Sequence, residues 1–266
     1  MRAGVVQMTS SDDVAANLRA AEALVGEAVA AQAELVALPE NFAFLRREGL
    51  PVPCAQGLDG EIVSFLRGLA RRHGIWLLGG SFPEAAGGER VHNTSVLLSP
   101  AGELAAVYRK IHLFDVDLRA RGGAEFRESA RVAPGSEVVV AKTPFGGLGL
   151  SICYDVRFPE LYRAQSAQGA RFLAVPAAFA VETGRDHWEV LLRARAIENL
   201  AFVLAPAQVG RHNPERSSYG RALIVDPWGL VLARAPDRPC AIVATCDLAA
   251  QDEARAALPA LAHRRL

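Results

Sequence analysis

The chain has little cysteine, no long apolar run and no excess of either charge, and each absence removes a class of function. Four cysteines occur in 266 residues, Cys54, Cys153, Cys240 and Cys246. None forms a C-x-x-C pair, so neither a disulfide framework nor a dithiol redox motif is expected, and a reduced, cytoplasmic protein is the simplest reading. Nowhere does the sequence reach the roughly 18 consecutive apolar residues of a membrane span. The first apolar run turns polar at Ser10-Ser11-Asp12-Asp13, too soon for the core of a signal peptide. With 29 basic and 29 acidic residues the formal net charge is zero. Neither nucleic acid nor an acidic membrane is an expected partner, and little charge repulsion opposes self-association. Several catalytic signatures are missing too. Gly149-Leu150-Ser151-Ile152-Cys153 has cysteine where a serine-hydrolase elbow has its final glycine. No strand leads into a phosphate-binding or dinucleotide glycine loop, and the six histidines lack a zinc-binding spacing. No metal and no cofactor is therefore expected.

What is present is a globular composition, 51% hydrophobic and 22% charged. Short β-branched runs alternate with amphipathic segments throughout, the pattern of an α/β layered fold. Strands are expected at 4–8, 34–38, 75–78, 94–98 and 104–108 in the first half. In the second they are expected at 148–152, 172–175, 201–204, 222–225, 230–233 and 241–246. Helical spacing begins after Asp13, with Val14, Leu18, Ala21, Val25 and Val29 on one face. Asp59 is positioned to cap a second helix that closes at His73-Gly74. Further helices are expected at 158–168, opened by Pro159, and at 187–199. Ala37-Leu38-Pro39-Glu40-Asn41-Phe42 resembles Ala174-Val175-Pro176-Ala177-Ala178-Phe179, and the hairpins 96–107 and 223–232 resemble each other. Two similar sheet-and-helix halves follow from this, packed sheet to sheet. No linker separates them, so 1–266 reads as a single domain.

Three residues carry candidate chemistry. Cys153 ends a buried strand, the position at which open α/β sheets bind ligands. The helix opening at Pro159 adds positive potential that favours a thiolate. A buried structural thiol is the alternative. Glu40 follows the strand 34–38 and Pro39 directly, where a carboxylate is costly to bury without a partner or a purpose; a capping role is the alternative. Lys110 follows the strand 104–108, where a lone lysine is ordinarily solvated. Together they suit hydrolysis by a thiol, in which a base takes the cysteine proton and a fixed cation meets the developing oxyanion.

Leu38-Pro39-Glu40-Asn41, Tyr108-Arg109-Lys110-Ile111-His112-Leu113-Phe114-Asp115 and Ile152-Cys153-Tyr154-Asp155-Val156-Arg157-Phe158-Pro159-Glu160 stand in that order along the chain. In these segments the sequence resembles the nitrilase superfamily of carbon–nitrogen hydrolases, and the resemblance runs over essentially the whole length. The segment His187 to Glu198, together with Ser218-Tyr219-Gly220 and Asp226-Pro227-Trp228-Gly229, is similar to the Nit branch of amidases. The resemblance implies a four-layer αββα sandwich, a homodimer or higher homo-oligomer, and a Glu40–Lys110–Cys153 triad working through a thioester. It implies a small amide substrate bearing a carboxylate: deaminated glutathione, cleaved to 2-oxoglutarate and cysteinylglycine. The alternatives are an ω-amidase substrate (2-oxoglutaramate or 2-oxosuccinamate) and an N-carbamoyl amide. Outside amide hydrolysis, a redox thiol or a silent scaffold protein are the rivals. A second active-site glutamate is matched by Glu128, with Glu125 as rival. The backbone N–H of Tyr154 is the expected oxyanion donor. Arg157 is the expected carboxylate ligand, with an ion pair to Glu160 as its alternative reading, and Phe179 and Thr183 are expected to line the pocket.

Overall fold

The computed structural model describes residues 1–47 and 52–265. Its larger sheet is built around the strand Arg2–Met8, which pairs in parallel with Leu35–Ala37 and Ala207–Asn213 and antiparallel with Cys240–Thr245. Leu35–Ala37 continues in parallel to Trp76–Leu78, and that strand pairs antiparallel with Val91–Leu98. Phe82–Ala85 and Leu104–Arg109 both add antiparallel to Val91–Leu98. In the second sheet Gly146–Leu150, Ala170–Ala174 and Phe202–Ala205 run parallel, flanked by Val140–Thr143 on one side. The hairpin Leu223–Val225 and Val231–Arg234 flanks the other.

The unbroken apolar runs have a physical reason. Successive strand residues point to opposite faces, so a run without polar alternation needs both faces covered. Ala3, Val5, Leu35, Ala37, Leu78 and Leu97 face the second sheet and share a core with Leu148, Leu150, Phe172 and Leu204. Their neighbours Val6, Met8, Val36, Leu38, Leu77 and Val96 belong to a separate core. That core lies under helices α1 (Val14–Ala30) and α2 (Glu61–His73). Helices α3 (Pro159–Ala167) and α4 (Val181–Asn199) cover the outer face of the second sheet, which completes the αββα sandwich. A last helix, α5 (Leu248–Ala257), is capped by Asp247 and tied back by Arg255, whose Nε donates to the Leu200 carbonyl at 2.9 Å.

Helix starts depart from the sequence reading in two places. The cap of α2 is Gly60, which has no side chain to offer, and the Ile62 N–H is satisfied by Gln56 Oε1 at 2.8 Å rather than by Asp59. Helix α4 begins at Val181, not His187, behind an Ala180 cap that leaves no mark in the sequence. Thr183 thereby falls in its first turn. Among the described residues no helix is long and apolar enough to cross a membrane.

Candidate active site

The strands Leu35–Ala37, Leu104–Arg109 and Gly146–Leu150 release their chains toward one place, and Glu40, Lys110 and Cys153 meet there. Lys110 Nζ donates to Glu40 Oε1 at 3.0 Å and to Glu128 Oε2 and Oε1 at 2.9 and 3.1 Å. Asn93 Nδ2 reaches the same two carboxylates, at 2.9 Å to Glu40 and 3.3 Å to Glu128. The other oxygen of Glu40 accepts the Ala178 N–H at 2.8 Å. The two look-alike Pro-containing segments therefore meet across the site. The Cys153 thiol lies beside Glu40, near enough for each to shift the other's ionisation. Relative exposure is 3% for Glu40, 2% for Lys110 and 7% for Cys153, so these charges interact with little screening by water.

Backbone geometry fixes Cys153. Cys153 has φ +49° and Asn41, beside Glu40, has φ +56°, both in the left-handed region that most side chains avoid. Asparagine tolerates this; a cysteine held there needs support. The Cys153 N–H donates to the Pro176 carbonyl at 2.8 Å. Buried Asp155 secures the next turn. Its Oδ2 accepts the Ile152 N–H at 2.8 Å and the Tyr108 hydroxyl at 2.7 Å. Its Oδ1 accepts the His112 N–H at 3.0 Å and His112 Nδ1–H at 2.7 Å. His112 in turn stacks on Phe158 with ring centroids 3.7 Å apart. One carboxylate thus joins the residue before Cys153 to the residue two beyond Lys110. On the Glu40 side Gly80 is irreplaceable for space: a Cβ there would lie 2.1 Å from the Pro39 carbonyl oxygen.

The electrostatics set the resting protonation. Burial pushes the Cys153 thiol well above its ordinary range and the Glu40 charge pushes it further, against the pull of Lys110. Burial acts on Glu40 in the same upward sense, but Lys110 and the hydrogen bonds outweigh it and hold the carboxyl below its usual value. Burial works against the Lys110 ammonium, yet Glu128 and Glu40 together keep its pKa well above the ordinary one. At rest the group is a neutral thiol, a carboxylate and an ammonium. The thiolate expected from the helix at Pro159 is not the resting form, because burial and an adjacent carboxylate outweigh a dipole that starts beyond the turn Cys153–Arg157.

An open-mouthed cavity of about 860 Å³ stands over these residues. Tyr154, Phe179 and Thr183 line it, as does Glu128. Glu125 lies instead on the surface, paired with Arg127 at 2.7 Å and Arg119 at 3.4 Å. Tyr154 opens the short turn Cys153–Arg157, whose leading N–H groups have no partner within it. Thr183 Oγ1 is buried without a hydrogen-bond partner. Arg157 stands behind the wall, its guanidinium 5.2 Å from the Phe179 ring centroid and 5.8 Å from that of Tyr154, with His187 Nδ1 at 3.2 Å from its Nη1. Asn93, Phe114, Phe126, Arg46 and Arg216 also line the cavity and were not singled out by sequence. Asn93 sits in the middle of a strand, and Arg216 on a hairpin without apolar alternation, so neither left a pattern to read.

The family model for carbon-nitrogen hydrolase matches residues 2–256. The chain belongs to the carbon–nitrogen hydrolase family. As a member of this family, of the nitrilase superfamily, it is an enzyme of amide hydrolysis. It is 46% identical to the deaminated glutathione amidase of Synechocystis sp. over 98% of this chain and 97% of that one. The crystal structure of Caenorhabditis elegans NitFhit superposes with a TM-score of 0.88 at 39% identity, covering 99% of this chain and 65% of that one. Saccharomyces cerevisiae Nit3, of branch 10 of the nitrilase superfamily, gives 0.85 at 30% identity, covering 97% and 94%. This hydrolase spans less than two thirds of the NitFhit chain but nearly the full length of the other two.

Proposed function

We propose that the chain hydrolyses the amide of deaminated glutathione, releasing 2-oxoglutarate and cysteinylglycine. The observation that carries the chemistry is one buried Glu40 carboxylate bonded to Lys110 Nζ at 3.0 Å and lying beside the Cys153 thiol in the same cavity. The substrate rests on the name of the Synechocystis relative, 46% identical over 98% of this chain. Glu40 takes the thiol proton as sulfur attacks the amide carbonyl. A neutral thiol beside its base makes the two events one step, with no free thiolate to maintain. Lys110 Nζ and the Tyr154 N–H hold the oxyanion, a type of contact worth about 3–4 kcal/mol in the transition state. Glu40 then returns the proton to the departing nitrogen, the C–N bond breaks, and the acyl group remains on Cys153 as a thioester. Water gives a proton to Glu40 and attacks the thioester. The second oxyanion collapses, the C–S bond breaks, and sulfur recovers its proton from Glu40. Glu128 and Asn93 keep Lys110 and Glu40 in register throughout. The Phe179 ring and Thr183 hydroxyl line the pocket beside Cys153, and Arg157, behind the Phe179 and Tyr154 rings, lends its positive charge to the 2-oxo acid carboxylate through that wall rather than by direct contact.

A sensor thiol is the weaker reading, because such cysteines are exposed and hold their thiolate, and Cys153 is neither. We read residues 1–266 as one domain of a cytoplasmic homodimer. Val190, Trp228 and Leu230 are 66%, 58% and 57% exposed, and Gly229 packs against Ile197 of α4, so these apolar groups adjoin. Light scattering on the purified protein reports the mass directly. The decisive experiment is turnover of deaminated glutathione, 2-oxoglutaramate and an N-carbamoyl amino acid, with intact-mass detection of acyl-Cys153. Deaminated glutathione should have the highest kcat/KM, and Cys153→Ala should abolish both turnover and adduct. A preference for 2-oxoglutaramate overturns the substrate assignment; retained activity in Cys153→Ala overturns the mechanism.

A further inference from the structure

Beyond Cys153 the cavity has an outer end, and its geometry follows from a strand. The wall segment beyond Ala178 is fastened to the strand Arg216–Tyr219: the Tyr219 N–H donates to Phe179 O at 2.9 Å, and Ala180 bridges Ser218. Residues two apart share one side of a strand. Arg216 therefore stands on the side of Ser218, about 7 Å further along, and it lines the cavity. The facing strand is bulged there, since Arg211 pairs with Ser217 and Asn213 with Arg216. The extra residue, His212, turns inward between Ser10 O and Ser218 Oγ, both at 2.9 Å. It is neutral, because burial first and the Arg216 charge after it bring its pKa down to about 4.

Arg216 itself has no carboxylate among the described residues. Among the described residues the cavity is lined by two carboxylates, Glu40 and Glu128, and both are taken by Lys110. A guanidinium at the wall of a ligand cavity, with no anion paired to it among the described residues, is suited to receive one from the ligand. Deaminated glutathione carries two carboxylates, on opposite sides of the scissile amide. One belongs to the acyl part that would stay on Cys153. The other ends the leaving dipeptide, two residues and about 7 Å from the scissile nitrogen when extended.

We propose that Arg216 binds the glycine carboxylate of the leaving cysteinylglycine, and so selects amides with an anionic peptide leaving group over those that release ammonia. This rests on the substrate reading given above.

The test compares deaminated glutathione with its C-terminal glycinamide, which has the same scissile bond and lacks only the terminal charge. The wild-type enzyme should favour the acid by about 10- to 100-fold in kcat/KM, the range of one charge-assisted contact. Arg216→Ala should bring that ratio close to one, and Arg216→Lys should keep part of it. Because each ratio is taken on one protein preparation, a loss of folded enzyme cancels. An unchanged ratio in Arg216→Ala overturns the subsite while leaving the substrate reading intact. A wild-type enzyme that turns over 2-oxoglutaramate but not deaminated glutathione overturns both.

Discussion

Asp155→Asn is the most searching perturbation of this fold, since it changes one atom in a side chain that is 0% exposed. The carboxylate accepts four hydrogen bonds, two of them from backbone N–H groups that can only donate. An amide offers one oxygen and one NH2. If the NH2 faces Ile152, its N–H loses its acceptor while the Tyr108 hydroxyl can turn to accept. If it faces His112, that backbone N–H is orphaned while the imidazole can change tautomer. Either way one buried N–H is left unpaired, at about 1–3 kcal/mol. The remaining bonds lose their ionic partner, at about 1 kcal/mol for each of two. The total is about 3–5 kcal/mol, a large part of the usual 5–15 kcal/mol. With a urea slope of about 3 kcal/mol/M the midpoint should fall by about 1–1.7 M. Because the carboxylate joins Ile152 to His112, the folded fraction should also show a lower kcat, the oxyanion donors and the nucleophile having lost their shared anchor. Urea unfolding followed by far-UV circular dichroism and active-site titration of the remaining enzyme measure the two effects separately. A midpoint within about 0.2 M of wild type, with unchanged kcat, would refute the reasoning.

Two predictions concern pH. The reactive state needs Glu40 as carboxylate and Cys153 as thiol, and the first is held below its ordinary 4.5 and the second well above its ordinary 9.0. A plot of kcat/KM should therefore be flat through neutrality, with an acid limb under pH 4.5; an acid limb near 6.5 would assign the base to a histidine instead. Stability has its own acid dependence through His212, ordinarily 6.5 and about 4 when folded. Above pH 6.5 both states are neutral there; between 6.5 and 4 only the unfolded chain takes up the proton, so up to about 3 kcal/mol is lost on acidification. Urea midpoints of His212→Asn at pH 7 and pH 4.5 should differ less than those of wild type, and an equal difference would exclude this imidazole as the source.

The proposed catalytic positions Glu40, Lys110 and Cys153 could be read from the sequence because each lies within three residues of the end of a strand. A buried strand is a strong one-dimensional signal, and whatever polar residue comes next is placed at the sheet's edge. Glu128 had no such strand behind it. Its distinction from Glu125 appears only when the hairpin Asp115–Asp117 with Glu125–Arg127 folds, turning one glutamate to Lys110 and leaving the other among surface arginines. The start of α4 was invisible for the opposite reason: Ala180 caps nothing with its side chain, and the segment from Val181 has the composition of a loop. Helix α5 did have its signal, Asp247 bonded to the N–H groups of Ala249 and Ala250, but it follows a strand in an alanine-rich end where periodicity is weak.

Protonation was least legible of all. Sequence places a helix a few residues after Cys153 and so argues for a thiolate. The fold adds two larger effects, burial of the thiol and a carboxylate beside it, and both favour the thiol. The same carboxylate is kept ionised by an ammonium 70 residues away in sequence. In the proposed mechanism that long-range pairing sets the order of events: the proton would move from sulfur to Glu40 only as an electrophilic carbonyl arrives to take the sulfur electrons. An enzyme arranged in this way should resist alkylation by small halides that demand a standing thiolate, and react fastest with reagents that present a carbonyl or conjugated amide to the oxyanion donors. Iodoacetamide and acrylamide at matched concentration, followed by mass spectrometry on Cys153, distinguish the two behaviours. Faster loss of the free thiol to iodoacetamide would mean that the thiolate stands ready at rest, and that burial has been given too much weight.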